Sequence, residues 1–206
     1  MIELFISSLI TFFVVIDPPG CAPIYAGLTA GATPAHSRAM AIRAVTVATV
    51  ILLVFALVGE DLLRALGIGL DAFRIAGGIM LFLIAIEMVF ERRTQRREER
   101  AQKIAETPEI EDVSIFPMAM PMIAGPGSIA TVMLLMSQNQ GLERSAVVLA
   151  AMLTILALTL AALLAAGPIM RFLGAKIEAV ITRLLGVLLA ALAAQFVIDG
   201  VKASLA

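Results

Sequence analysis

The chain has 206 residues, 61% of them apolar and 15% charged, with a mean hydropathy of +1.02 and a formal net charge of −1. Soluble domains average about 45–50% apolar and about 25% charged residues, so this composition excludes a soluble enzyme and a disordered chain. With no basic stripe for phosphates, it also excludes a nucleic-acid binder.

A hydrocarbon core of about 30 Å is crossed by about 20 apolar residues of helix. Six stretches qualify, at about 2–30, 38–59, 69–90, 115–138, 145–167 and 178–201. An all-α membrane protein of six transmembrane helices follows. It divides into a first three-helix unit (1–90), a charged loop (91–112) and a second three-helix unit (113–206). The first stretch has no Lys or Arg ahead of it and no small-residue cleavage pattern behind it, unlike a signal peptide. Residues 2–16 alone rise only about 22 Å, so segment 1–30 either crosses once or dips in and returns. Polar or helix-breaking connections are expected at 31–36, 59–64, 138–144 and 167–176.

Thirteen charged residues lie between Glu91 and Asp112, six basic and seven acidic. The Glu/Arg-rich first half favours a helix running on from the third span, with i,i+4 pairs worth a few tenths of a kcal/mol each. Loops one, three and five carry 11 Lys and Arg, and the opposite side carries 4. An excess of these residues marks the cytoplasmic side. Both termini are therefore expected outside, with loop 91–112 in the cytoplasm. Arg43, Arg74 and Arg183 are the charges that could instead be intramembrane.

The two halves match in order. Pro19-Gly20 repeats as Pro126-Gly127, 107 residues on, and Leu63–Gly67 matches Met170–Gly174 at the same offset. Arg38 and Ser145 open the second and fifth spans, and Asp71 pairs with Glu178. Near the third helix the offset drifts to 109, with Arg74–Gly77 against Arg183–Gly186. Several ordered matches argue for duplication. Three spans per copy make the second copy enter from the opposite side. Inverted repeats of this kind underlie many secondary transporters, with sites at the repeat interface near the midplane.

Helices one and four carry the breakers. Asp17-Pro18-Pro19-Gly20 and Gly125-Pro126-Gly127 cannot run as regular helix, because Pro lacks the N–H and clashes with the preceding turn. Both helices are thus expected to break near the midplane and restart, Pro suiting a first helical turn. Each restart presents free N–H groups and about half a positive charge, a natural seat for a carboxylate. Asp17 is the sharpest single residue, since an intramembrane carboxylate is functional by default. It could accept an ammonium, bind a coupling proton or sodium, or cap the helix that follows. Ser128 and Thr131 could contact a ligand or bond back to their own helix. Cys21 has no partner for a disulfide and His36 no neighbouring Cys or His for zinc, so no cofactor or metal is expected. Glu87, Gln195 and Asp199 are weaker intramembrane candidates.

Asp17–Gly20 with Pro23, and Pro121–Ile129 in the fourth span, resemble the MarC family of bacterial inner-membrane proteins. The resemblance covers essentially the whole chain, including Gly77-Gly78, Gln195-Phe196 and Asp199-Gly200. It implies a six-helix fold in the inner membrane and a relation to transporters of small neutral amino acids such as glycine and alanine. It carries over no catalytic residues. The substrate-binding candidates it leaves are Asp17, Pro18, Pro19, Gly20, Pro23, Gly125, Pro126, Gly127, Ser128 and Thr131.

Three other readings compete with a carrier of a small zwitterion. An intramembrane hydrolase would need a base for Ser128, and the only His lies in a loop, so no enzyme is expected. A regulatory or assembly protein could use the charged loop as its working surface. A channel or efflux protein would use the same breaks without coupling.

Overall fold

The computed structural model describes residues 1–90 and 112–205, and for 169–179 the backbone alone. The described chain is helical throughout. In chain order the elements are α1 (Ile2–Ile16), α2 (Pro18–Leu28), α3 (Pro34–Ala65), α4 (Leu70–Val89), α5 (Ser114–Ile123), α6 (Pro126–Gln138), α7 (Leu142–Leu164) and α8 (Ala166–Ser204). Five apolar spans are long enough to cross a membrane: Ile2–Leu28, Pro34–Ala65, Leu70–Val89, Leu142–Leu164 and Val180–Ser204. The pair α5 and α6, bent by 51°, makes a sixth when counted as one broken span and is otherwise a re-entrant loop.

Local sequence sets the ends. Thr33 accepts a hydrogen bond from His36 N at 3.3 Å and Pro34 takes the first helical position, so α3 starts there rather than at Arg38. α3 stops where Gly67 turns left-handed, at φ 71°, and Ile68 N donates to Leu63 O at 2.9 Å. The expected polar connection at 167–176 is not a loop. A single residue, Ala165, separates α7 from α8, and α8 then runs for 39 residues. Gly167-Pro168 lies in the first turn of α8, where a proline removes no helical hydrogen bond, so the pair opens a helix instead of ending one. The helical extension expected for loop 91–112, and the side-chain matches at 170–174 and Glu178, fall outside the described residues.

α4 and α8 pack closely and antiparallel. A Cβ added at Gly78 would meet Ala193 O at 2.8 Å and Val197 Cγ2 at 2.7 Å. One added at Gly186 would meet Ala85 O at 3.1 Å and Val89 Cγ2 at 3.1 Å. The alanine carbonyl and the valine methyl correspond at an offset of 108, whereas Met88 Cβ, the nearest atom to Gly186 at 2.9 Å, has no counterpart among the nearest atoms at Gly78. α1 lies along α6, α2 contacts α5, and α7 covers both α1 and α2. Among the five single spans the first is the most enclosed, 56% of its apolar window being buried against 28% for α4 and for Val180–Ser204. Irregular backbone at membrane depth survives only when buried in protein or lining a cavity. The enclosure of the first span meets that condition.

Candidate functional site

Two interruptions define the site. The first is one residue long. α1 ends at Ile16, Asp17 adopts φ 59° and ψ 64°, and α2 begins at Pro18. Asp17 is 1% exposed, and its Oδ1 accepts a hydrogen bond from Gly20 N at 3.1 Å. The side chain therefore caps α2, one of the three roles open to it on sequence. An Asp tolerates the left-handed conformation better than most residues because its short side chain bonds locally. A Cβ at Gly20 would lie 2.2 Å from Asp17 Oδ2, so this carboxylate already occupies the space over Gly20.

The second interruption is longer. α5 is wound in wide turns, with Met118 N donating to Val113 O and Ala124 N to Ala119 O, five residues back in each case. Phe116 and Met120, each preceding a proline, are extended. α6 then starts at Pro126 with Gly125 as its N-cap and no side-chain cap. Gly125 has no room for a Cβ, which would lie 2.3 Å from Pro121 O.

The two interruptions share a hydrogen bond that sequence reasoning missed. Cys21 Sγ donates to Ile16 O at 3.5 Å, and Ser128 Oγ donates to Ile123 O at 2.7 Å. Both span five residues and both cross the break. Cys21 and Ser128 are 107 apart, as are Ile16 and Ile123. The offset was available in the sequence; the role of a lone thiol as a hydrogen-bond donor was not.

The breaks are neighbours. A Cβ on Gly127 would lie 3.5 Å from Val15 Cγ1, with Ile84 Cδ1 at 2.7 Å and Leu81 Cδ2 at 3.4 Å. The start of α6 thus sits beside the end of α1 and against α4. Pro18, Gly20, Gly125, Gly127, Ser128 and Thr131 are buried with Asp17, Pro19 and Pro23 are half-buried, and Pro126 is exposed. Thr131 is fully buried, and its Oγ1 has no hydrogen-bond partner. Gln195 is not drawn to the breaks; it donates to Asp199 Oδ1 at 2.8 Å on its own helix. A cavity of about 380 Å³ lies away from the breaks, between α3, α6 and α7, and Glu60, Met133 and Gln140 are among its lining residues.

Polar contacts also tie the ends of α2, α3 and α5 together. Tyr25 Oη donates to Ser37 O. Arg43 pairs with Asp112, which accepts a hydrogen bond from Ser114 N at 2.9 Å. Burial pushes the Asp112 carboxyl up, but the bonding to Ser114 and the charges of Arg43 and His36 outweigh it and hold the group below its ordinary value. Arg43, in the third turn of α3, is thus paired with the residue at the end of the charged segment. Among the described residues no cluster of His, Cys, Asp or Glu could hold a metal ion.

Five apolar helices long enough to cross a membrane, and six if the bent pair α5–α6 counts as one, packed around two helix interruptions define a multi-pass integral membrane protein. The chain matches the family model for MarC family integral membrane proteins over residues 2–205. It belongs to that family. A UPF0056 membrane protein of Methanocaldococcus jannaschii is 34% identical, over 99% of this chain and 98% of its own. Membrane protein YvbG of Bacillus subtilis is 33% identical over 98% and 96%, and inner membrane protein YhgN of Escherichia coli 32% over 96% and 95%. No solved structure matches.

Proposed function

We propose that this protein is a secondary transporter of a small neutral amino acid or similar zwitterion in the bacterial inner membrane. It is built as two inverted three-helix repeats whose first helices break near the membrane midplane. The observation that carries this reading is the repeated bond across the breaks, Cys21 to Ile16 O and Ser128 to Ile123 O at one offset of 107. The antiparallel seam between α4 and α8 supports it, because contacts that correspond at a constant offset are what a two-fold axis in the membrane plane produces. Such repeats place substrates at half-helix termini near the midplane. The carboxylate of the zwitterion meets a half-helix N-terminus, and its ammonium meets Asp17 or carbonyls beside the breaks. The sequence carries no nucleotide-binding motif, so energy comes from a gradient, and Asp17 is the candidate for coupling a proton or sodium. Ser128 supports a carrier over a hydrolase, since its hydroxyl is committed to a carbonyl acceptor rather than to a base.

The test is paired uptake and stability in proteoliposomes. Asn caps a helix about as well as Asp, so Asp17→Asn is expected to melt near the wild-type temperature in detergent. Its accumulation of labelled alanine against a gradient is expected to collapse. Wild-type accumulation by Asp17→Asn would reduce Asp17 to a cap. Absence of gradient-driven uptake in the wild type, across glycine, alanine and serine, would overturn the transporter reading.

A further inference from the structure

The cavity between α3, α6 and α7 stands apart from both breaks and has a chemistry of its own. Its volume, about 380 Å³, falls among sites that take small organic molecules, about 300–1,000 Å³. Glu60 is the one ionisable residue in its lining; neither Arg64 nor Arg144 belongs to it. Phe55, Met133 and Met136 supply an aromatic ring and two adaptable thioethers. Met133 packs against Gly59, where a Cβ would lie 2.8 Å from its Cε, so α3 and α6 meet at that wall.

The polar groups around the cavity favour a cation. The Ser137 hydroxyl donates to Leu134 O at 2.9 Å, and the Ser145 hydroxyl donates to Asn139 O at 3.2 Å. With their protons spent, both offer a ligand only lone pairs, while Gln140 can turn either end of its amide. α6 ends here, at Gln138, with no basic residue in its last turn. The final carbonyls of a helix carry about half a negative charge. α7 starts at the same rim, but Glu143 in its first turn offsets that positive end. Glu60 pairs with Arg64 at 3.3 Å, and this guanidinium, 74% exposed, also lies 3.6 Å from Asp61. A cation that takes Glu60 therefore leaves Arg64 a partner.

We propose that this cavity binds an organic ammonium ion carrying an apolar group. The nitrogen sits at the Glu60 carboxylate beside the end of α6, and the apolar group lies against Phe55, Met133 and Met136. An aromatic face at that distance from an ammonium adds a cation–π contribution. An anion would meet a carboxylate and lone pairs, so the site rejects it. The site is independent of the transporter reading, since none of the candidate residues at the breaks lines this cavity.

The experiment is isothermal titration calorimetry of the full chain in phosphatidylcholine nanodiscs at pH 7, with empty nanodiscs as background. Phenethylamine is the probe, beside its neutral and anionic analogues 2-phenylethanol and phenylacetate. Phenethylamine is expected to bind, 2-phenylethanol about tenfold more weakly, and phenylacetate not at all. Glu60 is partly exposed, so Glu60→Gln is expected to melt with the wild type. It should weaken phenethylamine about tenfold, as loss of a hydrogen bond to a charged group does, and leave 2-phenylethanol unchanged. Arg64→Gln releases Glu60 from a surface pair and is expected to bind phenethylamine at least as tightly as the wild type. Ala56→Leu narrows the cavity and is expected to weaken both ligands. No saturable phenethylamine binding above empty nanodiscs, wild-type phenethylamine affinity in Glu60→Gln or Ala56→Leu, or weaker binding in Arg64→Gln overturns the proposal.

Discussion

At the scale of single residues, three glycines near the breaks have different reasons to be glycine, and their substitutions separate them. At Gly125 an added Cβ would sit 2.3 Å from the Pro121 carbonyl, a backbone atom that cannot swing aside. Gly125→Ala is expected to cost about 1–3 kcal/mol, as overpacking does. At Gly20 the obstruction is the Asp17 carboxylate, so Gly20→Ala should displace the cap and cost about 1 kcal/mol. At Gly127 the tightest neighbour is Ile84 Cδ1, the far end of a flexible side chain, which can rotate away. Melting temperatures in detergent should therefore fall in the order Gly125→Ala, then Gly20→Ala, then Gly127→Ala. A Gly127→Ala protein less stable than Gly125→Ala would contradict this packing. The sequence located all three glycines, because Pro and Gly act on the backbone within one turn. It offered Asp17 as a cap over α2 as one of three roles, and could not single that role out.

At the scale of elements, the helices themselves were legible wherever apolar length and local caps decide them. Five of the six spans read from hydropathy have a single long apolar stretch in the structure, the fourth is the bent pair α5–α6, and both interruptions adjoin the Pro-Gly segments. Two features were not legible. Gly167-Pro168 reads as a stop, yet opens α8, because proline in a first turn and proline after a last turn look alike without knowing where the preceding helix ends. The register of the third helices was also missed by one residue. Sequence matching aligned Gly77 with Gly186, whereas the packing pairs Gly78 with Gly186, since contacts and not residue identity set the correspondence. A test follows from that pairing. Gly78 and Gly186 each meet an alanine carbonyl and a valine Cγ2 of the opposite helix, so Gly78→Val and Gly186→Val should destabilise to a similar extent, about 1–3 kcal/mol each. Gly77→Ala should be milder, because its closest neighbour is the Leu134 Cδ1 methyl at 3.0 Å. A neutral Gly186→Val beside a damaging Gly78→Val would show that the seam lacks two-fold character.

At the scale of the molecule, Asp112 ties the start of α5 to Arg43 on α3 and gives the assembly an acid-sensitive link. Its carboxyl lies below its ordinary value of 3.8 in the fold, so the link is fully present above that pH and is lost as pH falls through the folded value. The stability difference between wild type and Asp112→Asn should be small near pH 7, both partners being substantially exposed, and should vanish once the pH has fallen through the folded value. A difference that grows in acid would contradict this sign. The same end of the molecule decides orientation. Arg43 is paired with Asp112 there and stays in the count of Lys and Arg from which loop 91–112 is expected in the cytoplasm and both termini outside. Labelling with a membrane-impermeant maleimide tests this, and the protein offers a clean background for it. Cys21 is the single cysteine, fully buried, and its thiol makes the bond that the Ser128 hydroxyl makes in the other half, so Cys21→Ser should fold. On that background Ser204→Cys should label in intact cells, and Glu98→Cys only after permeabilisation. The reverse pattern would keep six spans and invert them. Labelling of both from one side would leave an odd number of crossings between 98 and 204 untenable, and with it the count of α5 and α6 as one span.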